Sequence, residues 1–298
     1  MRISNSNNAT YFISPIGNDT NNGLTAETAL KTLDTALAKS DVNTIIVLEG
    51  EYINGTHFSA GCTISNQVNI IGFGNVIFKS ESNQNPIKIS NSVYVENIIF
   101  DGGVSALNTQ LTEELCVFVR CKFLNSGGAY GNGLTALGGS YILFECEASN
   151  NKRDGFNYHS YYTTTTNYPH AIEINCYGFN DGITDNTYIN NGSTMHEDGK
   201  IIRIYCEYAY SKGVVVADAD GARALNYSVV SHSTQNLDGT ENRKACYGSQ
   251  GSGTKVWLYD CEAHGSKYDV TVDSGCYLYT TQRFANELNN GTIQDIVL

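Results

Sequence analysis

Ionisable and aromatic side chains crowd one window of this sequence: KRDGFNYH (152–159), YYTTTTNYPH (161–170), DGITDN (181–186) and NGSTMHEDGK (191–200). His159, His170 and His196 lie within it, and His232 follows. Two chemistries suit such a set when the partner is a glycan. Hydrolysis needs a carboxylic acid for the leaving oxygen and a carboxylate to activate water or attack, about 5 Å apart for retention and roughly 6.5–9.5 Å for inversion. Asp154, Asp185, Glu197 and Asp198 are the candidates for that pair. β-Elimination from a uronic acid needs a base for the proton beside the carboxylate and a cation to hold the enolate-like anion. His159, His196, Arg153, Lys152 and Lys200 can serve as base or neutraliser, and Tyr158 can return a proton. Asn157, Tyr161, Tyr162, Tyr168, His170 and Arg223 are further candidate contacts to substrate, the tyrosines as platforms for sugar rings. Asp218 and Asp220, spaced i and i+2 in VVVADADGA, would share one side of a strand and could hold Ca²⁺. RDG, EDG and the DG at Asp181 are also ordinary turn sequences.

What must position these residues is a ladder of cysteines, each closing a short β-like run: FVRCKF at Cys121, LFECEA at Cys146, EINCYG at Cys176, RIYCEY at Cys206 and LYDCEA at Cys261. The intervals are 25, 30, 30 and 55 residues, and the last divides into 25 and 30 if Ser231 fills a missing place. One strand, one small buried residue and one polar turn per unit is the pattern of a solenoid. Nine cysteines at one per coil, with no CxxC pair, read as buried small hydrophobes, not disulfides or a zinc site.

Aligning the coils on this ladder puts Gly155, Gly182 and Gly213 at matching places and Phe156, Ile183, Val214 and Val270 in one inward slot. Two places later Ala136, Val216 and Val272 keep the slot apolar, whereas Tyr158 and Asp185 break it. Neighbouring strands lie about 4.8 Å apart, so this alignment gathers Tyr158, His159 and Asp185 into one patch, with the long loops of the same coils as rims of a cleft.

Charged residues are only 16% of the chain and the net charge is −12, with no run of Lys and Arg, which excludes a nucleic-acid partner on electrostatic grounds. No stretch of about 18 apolar residues is present to span a membrane. The opening MRISNSNNAT lacks the apolar core of a signal peptide, and the expected setting is extracellular or virion-associated.

Residues 11–38 read as a strand, a Gly/Asn turn and a helix with Ala29, Leu30, Leu33, Ala36 and Leu37 on one face. The pattern carried by Ser14, Pro15, Gly17, Asn18, Asp19, Gly23, Leu24, Glu27, Thr28, Lys31, Thr32 and Leu33 resembles the N-terminal entry of pectate-lyase-like, right-handed parallel β-helix proteins. TIIVLEGEY (44–52), NQVNIIGFGNVIF (66–78) and VYVENIIFDGG (93–103) continue the resemblance, with Val93, Val95, Ile98 and Phe100 expected inside. It implies an all-β chain: a capping strand and helix (1–40), one single-stranded parallel β-helix (41–280) and a C-terminal tail or cap (281–298). It also implies an acidic-polysaccharide lyase, with a glycoside hydrolase next. A tailspike-like depolymerase, which would be a homotrimer, belongs to the same group, and the rival from another class is a non-catalytic glycan-binding or structural module. The family's Ca²⁺-binding Asp cluster has no motif-level counterpart here, nor have the NTD, DD and GHG triplets of polygalacturonase-type hydrolases.

Overall fold

The computed structural model describes residues 9–296 apart from 85, 129–130, 161–166, 183–189, 212, 234–244 and 266. The chain winds as a right-handed parallel β-helix whose coils contribute short strands to three faces. The first face runs from Ala9–Ile13 through strands such as Ser140–Phe144, His170–Ile174, Lys200–Ile204, Arg223–Tyr227 and Lys255–Tyr259 to Thr292–Asp295. The second carries Lys122–Leu124, Glu147–Ser149, Tyr177–Phe179, Glu207–Ala209, Val230–His232 and Glu262–His264. The third carries Leu134–Leu137, Phe156–His159, Ser193–Met195, Val216–Ala219 and Ala245–Gln250, and ends with Glu287–Asn289. Every pairing is parallel, so backbone hydrogen bonds run along the helix axis from coil to coil.

Period-2 alternation sends every second side chain inside, where equivalent positions stack. Phe78, Phe100 and Phe123 form one such column, with centroids 6.0 and 5.7 Å apart. Val93, Val95, Ile98 and Phe100 are buried as their alternation predicts. All nine cysteines are free and buried. Each ladder cysteine follows a residue in the left-handed region: Arg120, Glu145, Asn175, Tyr205 and Asp260 have φ of 50–55°. That residue turns the chain from the first face to the second, and the small cysteine packs under the corner. The missing rung is Val229, preceded by Ser228 at φ 47°, and not Ser231 as the spacing suggested. Ser231 is buried two residues further on, in register with Tyr208 and Ala263.

The N-terminal helix is a single turn, Leu33–Leu37, with Leu33 and Ala36 buried. Ala29 and Leu30, expected on its face, precede it in extended backbone, where Leu30 bridges to Ile13. The Asp19 carboxylate accepts from the N–H groups of Lys31 and Thr32 at 2.9 Å, and Thr32 caps the helix by accepting from the Thr35 N–H.

On the first face the inward column turns polar in the middle coils. Inward positions on the first face read Leu143, Glu173, Arg203, Asn226, Leu258 along successive coils. Arg203 is fully buried; its Nη2 and Nη1 donate to Asp218 of the third face at 2.9 and 3.0 Å, and its Nε donates to Ser193 Oγ at 2.9 Å. Ser193 Oγ donates in turn to Glu173 Oε1 at 3.0 Å, and Tyr208 of the second face donates to Glu173 Oε2. Burial works against the Arg203 charge, but Asp218 and Glu173 overcome it and raise its pKa further. Burial likewise raises the Glu173 carboxyl, an effect the Arg203 charge only partly offsets. Removing one partner of such a network strands a buried charge at a cost of about 3–5 kcal/mol. Arg203→Met should therefore lower the unfolding free energy by that amount, measured from the midpoint and slope of urea melts. A loss under about 1 kcal/mol would mean that the interior admits water at this level.

Candidate functional site

The corner between the third and first faces holds the ionisable cluster. His159 ends the strand Phe156–His159, His196 follows Ser193–Met195 on the next coil, and Asp220 follows Val216–Ala219 on the one after. The two imidazoles stack with centroids 4.0 Å apart and planes at 11°. His159 Nδ1 lies 2.9 Å from Glu197 Oε1, while Glu197 Oε2 accepts from the Ser160 N–H at 2.8 Å. His196 Nε2 is 3.0 Å from Thr194 Oγ1, and its Nδ1 is 3.8 Å from Asp220 Oδ2. Glu197 and Asp198 both adopt left-handed backbone, φ 48° and 55°, as does Asp220 at 57°. The Asp198 N–H donates to the Asp220 carbonyl, and Gly221 (φ 90°) makes room, since a Cβ there would sit 2.4 Å from Asp198 Oδ1.

Burial alone would raise the Glu197 carboxyl. The hydrogen bond and charge of His159, the Ser160 N–H and the His196 charge outweigh burial and bring it below the ordinary glutamate range. Asp220 is lowered first by its interaction with His196, against a smaller effect of burial.

Beside this corner, the first face carries a stripe that alternation points outward. His170, Lys200, Arg223 and Lys255 stand in register on four consecutive coils, followed by Tyr277. Next to them runs the row Ile172, Ile202, Leu225, Trp257 and Tyr279, the last two rings stacked at 5.0 Å. Tyr205 and Tyr227 meet edge to face at 5.7 Å. Partial burial, and then the Lys200 charge, lower the His170 pKa. Among the described residues, none of Lys200, Arg223 and Lys255 pairs with a carboxylate.

The structure thus brings together His159, His196 and Glu197, with Asp198 on the same turn and His170, Lys200 and Arg223 alongside; Tyr168 is half-buried just before His170. It separates others. Lys152 and Arg153 lie at the opposite end of the strand Phe156–His159, in the corner after the second face. Asp154 is buried and accepts from the Asn191 N–H at 2.8 Å, and the buried Asn157 donates to it, so both fasten coils together and neither faces a substrate. Tyr158 is wholly interior, against Tyr141, and cannot return a proton to a glycan. The slot after Tyr158 holds Met195, not Asp185, and the slot of Phe156 continues as Ser193 and Val216, not Val214. Asp218 is committed to Arg203 inside the helix while Asp220 is exposed beyond the strand end, so the two form no shared Ca²⁺ site. Asp185, Tyr161, Tyr162 and Ile183 lie outside the described residues. Asp181 is buried and accepts from the Asn151 backbone and side chain, as its turn reading predicts. Sequence reasoning missed Glu173 and Arg203, which stand in phase with Leu143 and Leu258, and it missed Lys255, Trp257 and Tyr279, which share a strand position with Lys200 and Ile202.

The chain is similar in structure to pectate lyase Pel9A, at 16% identity and a TM-score of 0.56, covering 91% of this chain and 78% of that one. It is similar also to a rhamnogalacturonan lyase, at 13% identity and a TM-score of 0.50, covering 95% and 88%. At these identities the likeness is one of fold, the right-handed parallel β-helix. No family model matches the chain, and no curated protein matches it in sequence. Among the described residues, no helix is long and apolar enough to cross a membrane.

The lowered carboxyls give the site a pH signature. Glu197 and Asp220 bind their protons less tightly folded than unfolded, so their contribution to stability is complete above the unfolded values, about 4.3 and 3.9, and is lost as pH falls through the folded ones. Glu197→Gln should lower Tm at pH 6 and flatten the loss below about pH 4.3, so that the two melting curves converge in acid. A difference that stays constant with pH would assign the contribution to packing and not to charge.

Proposed function

We propose that this chain binds an anionic polysaccharide along the first face and cleaves it by β-elimination at the His159 corner. The observation that carries the reading is the in-register stripe His170–Lys200–Arg223–Lys255, set beside an aliphatic and aromatic row on the face that follows the corner of the His159–Glu197 pair. Coils repeat about every 4.8 Å, so a polymer lying along the axis meets a cation on each of three consecutive coils, Lys200, Arg223 and Lys255, with the His170 ring on the coil before them. Trp257, Tyr279 and the neighbouring aliphatic side chains offer surface for the apolar faces of sugar rings. Against a chain of net charge −12, the stripe selects an anionic partner locally.

At the corner, Glu197 accepts the Nδ1 proton of His159, which orients the ring and leaves Nε2 as the base. In the proposed step Nε2 takes the proton from the carbon beside the uronate carboxylate. The freed electron pair becomes the carbon–carbon double bond as the glycosidic carbon–oxygen bond breaks, and the leaving oxygen takes a proton from His196 or water. Lys200 and Arg223 hold the carboxylate and stabilise the charge that spreads onto it. Hydrolysis is less well supported, because among the described residues Asp154 and Asp218 are buried and already bonded, and at the corner Glu197 and Asp220 are engaged with His159 and His196. A non-catalytic glycan-binding module is the second reading, favoured by the aromatic row extending past the ionisable corner to Tyr277 and Tyr279. Substrates of this class lie outside cells, which agrees with an extracellular or virion-associated setting.

The test is incubation with a panel of polyuronates, with Ca²⁺ and with chelator, following unsaturated-uronide absorbance and reducing ends in parallel. Growth of both signals supports elimination, and reducing ends alone support hydrolysis. Neither signal, with binding retained, leaves the binding module. His159→Ala should reduce kcat by about 10²–10⁴-fold with a melting shift no larger than that of Glu197→Gln. If that variant unfolds, the ring belongs to the structure. Lys200→Ala and Arg223→Ala should each raise KM and weaken its salt dependence, leaving kcat less affected; an unchanged salt dependence would move the binding path off the first face.

A further inference from the structure

We infer that His159, His196 and Glu197 form a binding site for one divalent transition-metal ion of the Zn²⁺ class, and that the bound ion switches off the His159 base. A nitrogen or oxygen donor from each of these three residues lies within 4.8 Å of the other two. His159 Nδ1 and Glu197 Oε1, 2.9 Å apart, already stand near the separation of two donors on one ion, about 3.0–3.4 Å for bonds of about 2.1 Å at octahedral to tetrahedral angles. The parallel stack carries the His196 ring alongside, and a turn of that ring closes the third bond. Its Nε2 is held by Thr194 Oγ1, which leaves Nδ1, on the Asp220 side, as the donor. Ser160 N–H fixes the other oxygen of Glu197, so two of the three ligands have a hydrogen-bonded partner behind them. Two imidazoles and one carboxylate suit Zn²⁺, Ni²⁺ or Co²⁺, whereas Ca²⁺ takes six to eight oxygens.

A second histidine pair provides the contrast. His232 and His264 also stack, at 4.6 Å, but their glutamates, Glu207 and Glu262, stand 3.5 and 3.3 Å away as separate partners. Among the described residues only the His159 group brings three such donors within reach of one ion.

Occupancy has a defined consequence. The ion displaces the proton that His159 Nδ1 shares with Glu197; that proton leaves to solvent and the neutral, Nδ1-ligated ring takes one from water on Nε2, so no lone pair remains there to accept the substrate's proton. This second step rests on the reading of His159 as the base; binding of the ion does not. Calorimetry of the intact chain with Zn²⁺, without polysaccharide, should show one site. His196→Ala and Glu197→Gln should each weaken it at least tenfold, and His264→Ala should leave it unchanged. Titration of the intact chain with Co²⁺ should give the weak visible bands of nitrogen and oxygen ligation, a readout that requires no variant to fold. Absence of a one-equivalent site overturns the inference, as does the strong near-ultraviolet absorption of thiolate ligation by the nine cysteines. Where cleavage is measurable, Zn²⁺ should abolish it and chelator restore it. Cleavage that persists with the site filled overturns the switch while leaving the metal site standing, and a chain that binds Zn²⁺ but cleaves nothing when stripped of metal refutes the lyase reading alone.

Discussion

In-register stacking of parallel coils is the constraint on which everything else in this molecule depends. With one strand spacing of about 4.8 Å between coils, a side chain on any face has its positional equivalents directly above and below. Apolar residues gain from this, as the Phe78–Phe100–Phe123 column and the cysteine ladder do. Like charges lose, because the same geometry sets them side by side. The stripe of His170, Lys200, Arg223 and Lys255 is therefore kept against its own repulsion, and the lowered His170 pKa records part of that cost. A surface under no demand relieves such a column by alternating sign, as Lys122 does beside Glu147 at 2.7 Å on the second face.

Beneath the stripe the inward column of the first face is charged, at Glu173 and Arg203. Glu173 and Arg203 belong to the strands that carry His170 and Lys200 outward, and Asp218 lies two residues before Asp220. The network therefore joins, through the core, the elements that present the stripe to those that present the corner. Buried ion pairs are weak contributors to net stability but strongly penalise arrangements that leave one member unpaired. Sliding the strand Lys200–Ile204 by two residues would preserve its inward and outward alternation and still bring Arg203 away from Asp218. An apolar residue at 203 would carry no such penalty. The register of the stripe is accordingly held by electrostatics from inside as well as by packing.

How far the sequence revealed this architecture follows from the same geometry. Cys121, Cys146, Cys176 and Cys206 sit at a fixed corner, so their spacing reads the first two faces correctly. It failed at Val229 because that coil is short and because the buried Ser231 also fits a pattern of small residues. It failed again on the third face, because the strand Ser193–Met195 follows Cys176 at a longer interval than Phe156–His159 follows Cys146. The alignment of Tyr158 with Asp185 assumed corners of equal length, whereas Met195 is the true neighbour. His159, His196 and Glu197 were found because they cluster in sequence near a corner. Lys255 and Trp257 were not, because a stripe built from one residue per coil has no local signature, and only register makes it visible.

The corner itself shows how much can be read from backbone conformation. Left-handed residues mark the turns of this helix, and at many of them the residue is Asn, as at Asn97, Asn125, Asn150, Asn175 and Asn180, for which that conformation is least costly among side-chain-bearing residues. Arg120, Glu145 and Tyr205 occupy such places too, so a bulkier residue there is no mark of function by itself. Glu197 and Asp198 differ in being consecutive, a strain of about 1–3 kcal/mol each, and in what that strain accomplishes. It folds the turn back so that Glu197 reaches His159 on the previous coil while the Asp198 N–H is tied to the carbonyl of Asp220 on the next. Asparagine at 197 would suit the backbone better, but its side chain is one methylene shorter and carries no charge to hold an imidazole proton. The sequence keeps glutamate there, where contact with His159 is gained at the expense of an easier turn.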